Sequence, residues 1–215
     1  MALILVNIIA ICALASSFEH RQTCTVPAYV NEYAPLVYLH SSDAYRPSDI
    51  GSQLANTQPE SNITIVDFAP QPLTLDNLQD LHSSGSDGQD IYLTAAVDIE
   101  TQPKWLLGEI PDDTGKTPNG VSSAIIVNDH GNDITDVFYM YFFAYNHGGR
   151  YLGRNVGCHV GDWEHNMIRF QDGVPQAIWY SQHAEGQAFT YDAIDKEGKR
   201  VRLFRSLSTA VLTCQ

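Results

Sequence analysis

The densest cluster of side chains that could carry chemistry lies between residues 146 and 166. It contains Asn146, His159, Asp162 and Glu164, with glycines between them. If residues 162–170 form a strand, Asp162 and Glu164 share one face, because strand side chains alternate between faces. Their charges would lie about 6–7 Å apart, so solvent, a cation or a shared proton must offset the repulsion.

One interpretation of this cluster is a divalent-cation site. His159 is followed by a glycine-containing segment, where the backbone can turn the imidazole toward the two carboxylates. An imidazole, two carboxylates and the amide oxygen of Asn146 suit Ca²⁺, Mg²⁺, Mn²⁺ or Zn²⁺, and the donor set does not choose among them. Two further histidines, His183 and His165, are candidates to line the same cavity.

Two other interpretations stay open. The cluster could be a solvated strand end, with Trp163 in the core and Glu164 paired to Arg169 or Arg150. Alternatively, Glu164 could act as general base for a metal-bound water, which requires an open coordination position. The sequence has no phosphate-binding glycine loop, serine-hydrolase elbow or His-Glu-x-x-His motif. Nucleotide-dependent and zinc-protease chemistry therefore has no support.

The elements that must position these residues are short apolar or alternating runs between turn-rich breaks. The runs are rich in Val, Ile, Tyr, Phe and Trp, which favours strands over helices. Their spacing predicts an all-β fold, a two-sheet β-sandwich or jelly roll, with at most one or two short helices, one of them over residues 72–81. The predicted strands are 36–40, 63–68, 91–97, 122–127, 137–145, 165–170, 177–181 and 188–192.

Composition and the N-terminal segment indicate the class of protein. The 215 residues include 12 Lys and Arg against 25 Asp and Glu, a net charge of −13, which argues against nucleic acid as a partner. Residues 1–15 form an apolar, uncharged run that ends in Ala-Leu-Ala, which is typical of a signal peptide. No other run approaches the length of a transmembrane helix, so we expect a mature chain without a membrane span that enters the secretory pathway.

The secretory start makes two modifications relevant. Cys24, Cys158 and Cys214 remain after cleavage, and we favour a disulfide between Cys24 and Cys158. Asn62 begins an Asn-Ile-Thr acceptor for N-glycosylation in a stretch with surface composition.

Several segments together resemble the fungal vacuolar protein sorting-associated protein 62 family. The resemblance runs in order from about residue 30 to residue 200, and it implies a β-rich domain and a role tied to protein delivery to the vacuole. The segments that carry it are Tyr33–Ser41, Tyr45–Ile50, Tyr139–His147, Gly157–His165 and Trp179–Gly186.

A shorter motif, His159-x-x-Asp162-Trp163-Glu164, is similar to a signature of the necrosis-inducing (NEP-like) proteins, which are secreted, cation-binding β-sandwiches. The similarity implies that His159, Asp162 and Glu164 are ligands or support the ligands. Gly161 stands where that family has a second His, and Asn146 where it has an upstream Asp, a change that would weaken cation binding.

The resemblance to the vacuolar sorting family sets the expected domain limits and functions. A single domain is expected over residues 16–200, and residues 201–215 depart from the family pattern like a truncated or misframed tail. Three functions are expected: a non-catalytic vacuolar or extracellular β-sandwich from this resemblance, a metal-dependent hydrolase from the residue cluster, and a membrane-active effector from the shorter motif. The expected partner is a protein, a glycan or a lipid.

Overall fold

Strands dominate the part of the chain that the structure describes. The computed structural model describes residues 2–4, 8–12, 26–67, 69–83, 88–182, 185–205 and 212–213. The prediction of an all-β fold is confirmed. In chain order the strands are β1 (Ala2–Ile4), β2 (Ile8–Cys12), β3 (Leu36–Leu39), β4 (Thr57–Ser61), β5 (Thr64–Ile65), β6 (Tyr92–Ala95), β7 (Ser123–Gly131), β8 (Ile134–Asn146), β9 (Arg150–Tyr151), β10 (Arg154–Asn155), β11 (His159–Gln171), β12 (Val174–Gln182), β13 (Glu185–Thr190), β14 (Lys196–Glu197), β15 (Arg200–Arg205) and β16 (Leu212–Thr213).

Two packed sheets form the body of the molecule. The larger sheet has the order β13-β12-β11-β8-β7-β2, and the second has the order β1-β3-β15-β14 with β16 also paired to β15. One buried hydrophobic cluster draws on both sheets, so the described strands form a β-sandwich as predicted. Its largest fully buried members are Phe143, Phe170, Ile125, Ile168, Ile178, Leu203, Val30, Val37, Val137 and Val201.

Tight turns set the register of the long central strands. The turn between β7 and β8 places Asn132 and Asp133 at φ +51° and +60°, and the turn between β11 and β12 places Asp172 and Gly173 at φ +52° and +73°. Two positive φ values match the right-handed twist of a hairpin, and Asn, Asp and Gly reach them at low cost. These turns therefore fix the β7–β8 and β11–β12 hairpins, and β8 pairs antiparallel with β11 where the two hairpins meet.

The helices are short and differ in place from the prediction. The α-helices are α1 (Ala28–Glu32) and α2 (Ile50–Asn56), and Asp49 caps α2 by accepting from the Ser52 amide at 2.7 Å. The helix predicted over residues 72–81 is wrong, because only a 3₁₀ turn over Leu78–Ser83 forms there. Asn77 accounts for the difference: its side chain bonds the backbone of Thr74 and Pro72, which competes with helical hydrogen bonds. Other 3₁₀ turns are Ile99–Thr101, Lys104–Leu107 and Tyr191–Ala193.

Strand β15 lies in the sandwich core, although the predicted domain ends at residue 200. It pairs in parallel with β3, and its Val201 and Leu203 side chains are fully buried. The boundary at residue 200 thus falls inside a strand.

At the other end, the backbones of β1 and β2 pair with β3 and β7, while the predicted cleavage point and Cys24 lie outside the described residues. The signal peptide stays a prediction.

Candidate functional site

Strand β11 turns its acidic side chains into the sandwich. Asp162 lies opposite Phe143 of β8 and Glu164 lies opposite Tyr141, so both carboxylates share the inner face with buried aromatic rings. Glu164 is 4% exposed, and Asn166, two residues further on, is completely buried. The alternation predicted from the sequence therefore holds, and it brings the two carboxylates together inside the protein.

Trp163 lies on the opposite, outer face, and its predicted place in the core is wrong. It is 42% exposed, and its ring packs against Phe142 with the centroids 4.9 Å apart. Alternation allows only one of the two residue sets to face inward. The acidic set faces inward here, and Arg205 of β15 offsets its charge only in part, as described below.

His159 reaches the first carboxylate across a bend in β11. Gly161 has φ +74°, in the left-handed region that favours glycine, and interrupts the regular alternation between His159 and Asp162. His159 Nε2 lies 3.3 Å from Asp162 Oδ1, and its Nδ1 lies 3.2 Å from the Gly157 carbonyl oxygen. His159, Asp162 and Glu164 are called the acidic cluster from here on.

The acidic cluster holds two buried oxygen atoms that lack hydrogen-bond partners among the described residues, Asp162 Oδ2 and Glu164 Oε1. Burial and, to a smaller extent, the nearby Asp162 raise the pKa of Glu164 to about 7, against the opposing effect of Arg205. Buried carboxylate oxygens without partners are costly, so the cluster requires a proton, water or a cation.

Arg205 of β15 is the nearby cation, and it lies within residues 201–215, the segment predicted to be an atypical tail. Its Nη1 donates to Asp43 Oδ2 at 2.8 Å, and its guanidinium lies 3.8 Å from the centroid of the Phe143 ring. Arg205 neutralises Asp43, which leaves the two carboxylates of the acidic cluster without a partner of full opposite charge. The alternating pattern of residues 200–205 is the signal that could have identified β15.

The predicted ligands are only partly assembled. Among the described residues, no three His, Cys, Asp or Glu side chains lie close enough together to hold a metal ion. The amide of Asn146 donates to the Gly157 carbonyl at 3.3 Å, on the segment that also contacts His159. The donor types and the two buried oxygens without hydrogen-bond partners fit a divalent cation. Binding the cation requires the side chains to move closer to one another.

The other predicted histidines do not join the acidic cluster. His165 lies on the outer face of β11 between Phe138 and Trp179, with ring centroids 6.5 and 5.5 Å away, and burial lowers its pKa. His183 lies outside the described residues. The alternative pairing of Glu164 with Arg169 is also wrong, because Arg169 instead binds Asp136 through two hydrogen bonds of 2.8 and 2.7 Å.

Cys158 has no disulfide partner among the described residues and lies at the edge of a cleft of about 600 Å³. Burial raises the pKa of this thiol, but hydrogen bonds from Tyr145 and from the backbone of Gly148 and Gly149 outweigh burial and lower it. Its predicted disulfide partner, Cys24, lies outside the described residues, so the pairing stays a prediction.

The predicted glycosylation acceptor is accessible. Asn62 lies in the exposed turn between β4 and β5 with φ +48°, a backbone conformation that Asn adopts more readily than most residues. Glycosylation of Asn62 stays a prediction.

The fold and the acidic cluster define a β-sandwich with a buried, uncompensated pair of carboxylates. The chain belongs to the vacuolar protein sorting-associated protein 62 family, whose model matches residues 13–208. It is 36% identical over 182 residues to a putative vacuolar protein sorting-associated protein, TDA6, of Saccharomyces cerevisiae, covering 80% of this chain and 39% of that protein. It is 32% identical over 201 residues to vacuolar protein sorting-associated protein 62 of the same yeast, covering 89% and 43%. The chain thus spans about two fifths of the length of these relatives.

Two crystal structures are similar at lower sequence identity. One is Necrosis and Ethylene inducing Protein 2 from the causal agent of cocoa's witches' broom disease, at 10% identity and a TM-score of 0.44, covering 89% of this chain and 69% of that one. The other is the non-toxic HaNLP3 protein, at 14% identity and a TM-score of 0.46, covering 87% and 67%. Among the described residues, no helix is long and apolar enough to cross a membrane.

Proposed function

We propose that this chain is a non-catalytic β-sandwich of the secretory pathway that serves protein delivery to the vacuole and binds a divalent cation at the acidic cluster. The vacuolar role is supported by membership of the vacuolar sorting family and by the names of the two yeast relatives. The cation is supported by one observation above all: two neighbouring buried carboxylates, Asp162 and Glu164, each keep an oxygen without a partner.

Charge balance favours a dication over a monovalent ion. Asp43 and Arg205 neutralise each other at 2.8 Å, while Asp162 and Glu164 would carry two negative charges when ionised. A divalent cation neutralises both at once, whereas a single proton neutralises only one. His159, 3.3 Å from Asp162, adds a nitrogen donor to the carboxylate oxygens.

Thermal unfolding of the full chain tests the cation. The melting temperature is measured in excess chelator and then with Ca²⁺, Mg²⁺, Mn²⁺ or Zn²⁺ added singly. At a hundredfold excess over Kd, binding should stabilise the fold by about 2.7 kcal/mol, a rise of roughly 5–10 °C for a domain of this size. The rise should disappear in Asp162→Asn and in Glu164→Gln.

Asp192→Asn is the matched control, because Asp192 is an exposed acid in the 3₁₀ turn over Tyr191–Ala193. This variant should respond to cations as the native chain does. A melting temperature that no cation raises, or a rise of equal size in the Asp162 and Glu164 variants, would reject the cation site.

The vacuolar role needs its own measurement. The full chain with a C-terminal fluorescent tag, expressed in Saccharomyces cerevisiae, should colocalise with a vacuolar membrane dye or with secretory compartments leading to the vacuole. Signal that stays diffuse in the cytosol would contradict this part of the proposal without bearing on cation binding.

A further inference from the structure

A short hairpin projects two large apolar side chains into solvent. Strands β9 and β10 pair through Tyr151 and Arg154, and the turn between them contains Leu152 and Gly153. Tyr151 is 69% exposed and Leu152 is 87% exposed, and Val156 just beyond β10 is also exposed. Tyr151 and Leu152 are called the hairpin tip.

The backbone of the hairpin tip is unfavourable for the residue that occupies it. Leu152 has φ +47° and Gly153 has φ +79°, so both turn residues lie in the left-handed region. Asn, Asp or Gly is preferred at the first of these positions, and a bulky residue there is strained. Leucine therefore weakens the turn locally while it places an apolar side chain at the most protruding point.

The hairpin also carries positive charge in an acidic protein. Residues 146–161 contain Arg150 and Arg154 and no Asp or Glu, although the whole chain carries a net charge of −13. Both arginines are exposed, and neither forms an ion pair within the described residues. Glu100 lines the cleft beside Arg150, so one acid remains nearby. At physiological salt the more distant acids are screened beyond about 8 Å.

We propose that the hairpin tip inserts into the surface of an anionic lipid membrane, with Arg150 and Arg154 held at the level of the lipid phosphates. A convex tip of two or three side chains offers only a few hundred Å², which is small for a specific protein interface of about 1,000 Å² or more. A lipid surface does not require a complementary shape. Insertion of apolar side chains and attraction of the flanking cations to anionic lipids both strengthen binding to it.

Vesicle co-sedimentation of the full chain tests this proposal. Vesicles of phosphatidylcholine are compared with vesicles that contain about 30% phosphatidylserine, at about 0.15 M and about 0.5 M salt. The chain should prefer the anionic vesicles and bind them more weakly at the higher salt concentration. Arg150→Gln with Arg154→Gln should lower the partition coefficient about thirtyfold, because each basic residue contributes about fivefold near such a surface. Tyr151→Ser with Leu152→Ser should lower it at both salt concentrations.

The turn between β4 and β5 supplies a matched control for the apolar residue. Ile63 has φ +58° and is 96% exposed, but its neighbours include Glu60 and Asp67 and no basic residue. Ile63→Ser should leave vesicle binding unchanged if exposed apolar surface alone is not sufficient. Lys104→Gln, at an exposed position outside the hairpin, is the control for the loss of one positive charge.

A spectroscopic measurement separates insertion from simple electrostatic capture. Leu152→Trp should show a blue-shifted emission component with anionic vesicles and none with soluble polyglutamate. Binding without a blue shift, or binding that the hairpin-tip variants do not weaken, would mean that the arginines capture an acidic macromolecule and would overturn the proposal. Equal sedimentation with both vesicle types would overturn it as well.

Discussion

Arg205 Nη1 donates to Asp43 Oδ2 at 2.8 Å, and both side chains are almost fully buried, with 4% and 6% of their surface exposed. The pair joins β15 to the segment that follows β3, across 162 positions of sequence. Arg205 also faces the acidic cluster, where it lowers the pKa of Glu164 against the effects of burial and of Asp162. The Arg205 guanidinium therefore holds β15 to the segment after β3, and it also lowers the pKa of Glu164 in the candidate site.

Removing this guanidinium should destabilise the fold strongly. Arg205→Met leaves Asp43 buried without a partner, which typically costs about 3–5 kcal/mol of the free energy of unfolding. Urea denaturation measures the change. Lys199→Met removes an exposed ion pair with Glu32 and should have a far smaller effect. If the two variants unfold at the same urea concentration, the buried pair is not the main stabilising contact of β15.

Glu164 should make the stability depend on pH. Its pKa is about 7 in the folded chain against an ordinary value of 4.5, so the folded state holds a proton that the unfolded state releases between these values. The contribution of Glu164 to the free energy of unfolding is fully present below about pH 4.5. It falls as the pH rises through 7, by about 3 kcal/mol in total. Glu164→Gln should remove the dependence and be the more stable chain at pH 8.

The pH experiment compares unfolding free energies of the native chain and Glu164→Gln from pH 4 to 8 in chelator. The comparison is needed because burial also lowers the pKa of His165. The contribution of His165 to the free energy of unfolding therefore increases with pH over part of this range. The difference between the two chains isolates Glu164. A constant difference across the range would contradict the raised pKa.

Asp136 should contribute stability with the opposite pH dependence. Hydrogen bonds from Arg169 lower its pKa and outweigh burial, and His130 Nε2 at 2.8 Å lowers it further. Its contribution is present above pH 4 and is lost as the pH falls through its lowered pKa. Asp136→Asn should cost about 1–2 kcal/mol at pH 7, since Arg169 is half exposed, and little at pH 2. Acid titration of both chains by circular dichroism measures this, and a loss of equal size at both pH values would contradict it.

Trp163 should be less important for stability than the size of its side chain suggests. Because 42% of its surface is exposed, Trp163→Ala should cost roughly 1–2 kcal/mol. Phe143→Ala, which empties a completely buried position on the neighbouring strand, should cost about 3–5 kcal/mol. Urea denaturation of both variants compares them, and the reverse order would mean that Trp163 is covered in solution.

The period of a strand explains what the sequence could predict about the site. Alternation alone places Asp162 and Glu164 on one face, and the φ of +74° at Gly161 lets His159 approach them as predicted. Alternation does not say which face is inside. A tryptophan is the more natural core residue, and Arg205, which partly offsets the buried acidic face, comes from the distant strand β15.

The prediction of the fold succeeded for long, β-branched and aromatic strands and failed for short elements. Strand β8 is recognisable from its composition, whereas α2 has only seven residues and depends on a cap at Asp49. One carboxylate oxygen of Asp49 accepts from the Ser52 amide, and the other accepts from the Val121 amide at 2.8 Å. Such a contact joins residues 72 positions apart, and local sequence carries no information about it.

The parallel pairing of β3 with β15 has a consequence for biosynthesis. Leu36–Leu39 is made early, but its partner, Arg200–Arg205, leaves the ribosome more than 160 residues later. Until then the edge of β3 is open and Val37 lacks the cover that Leu203 and Val201 provide. Closing contacts of such long sequence separation is slow and exposes strand edges during synthesis. The nascent chain should therefore bind chaperones until β15 has emerged, and ribosome-stalled chains that end before it should remain protease-sensitive.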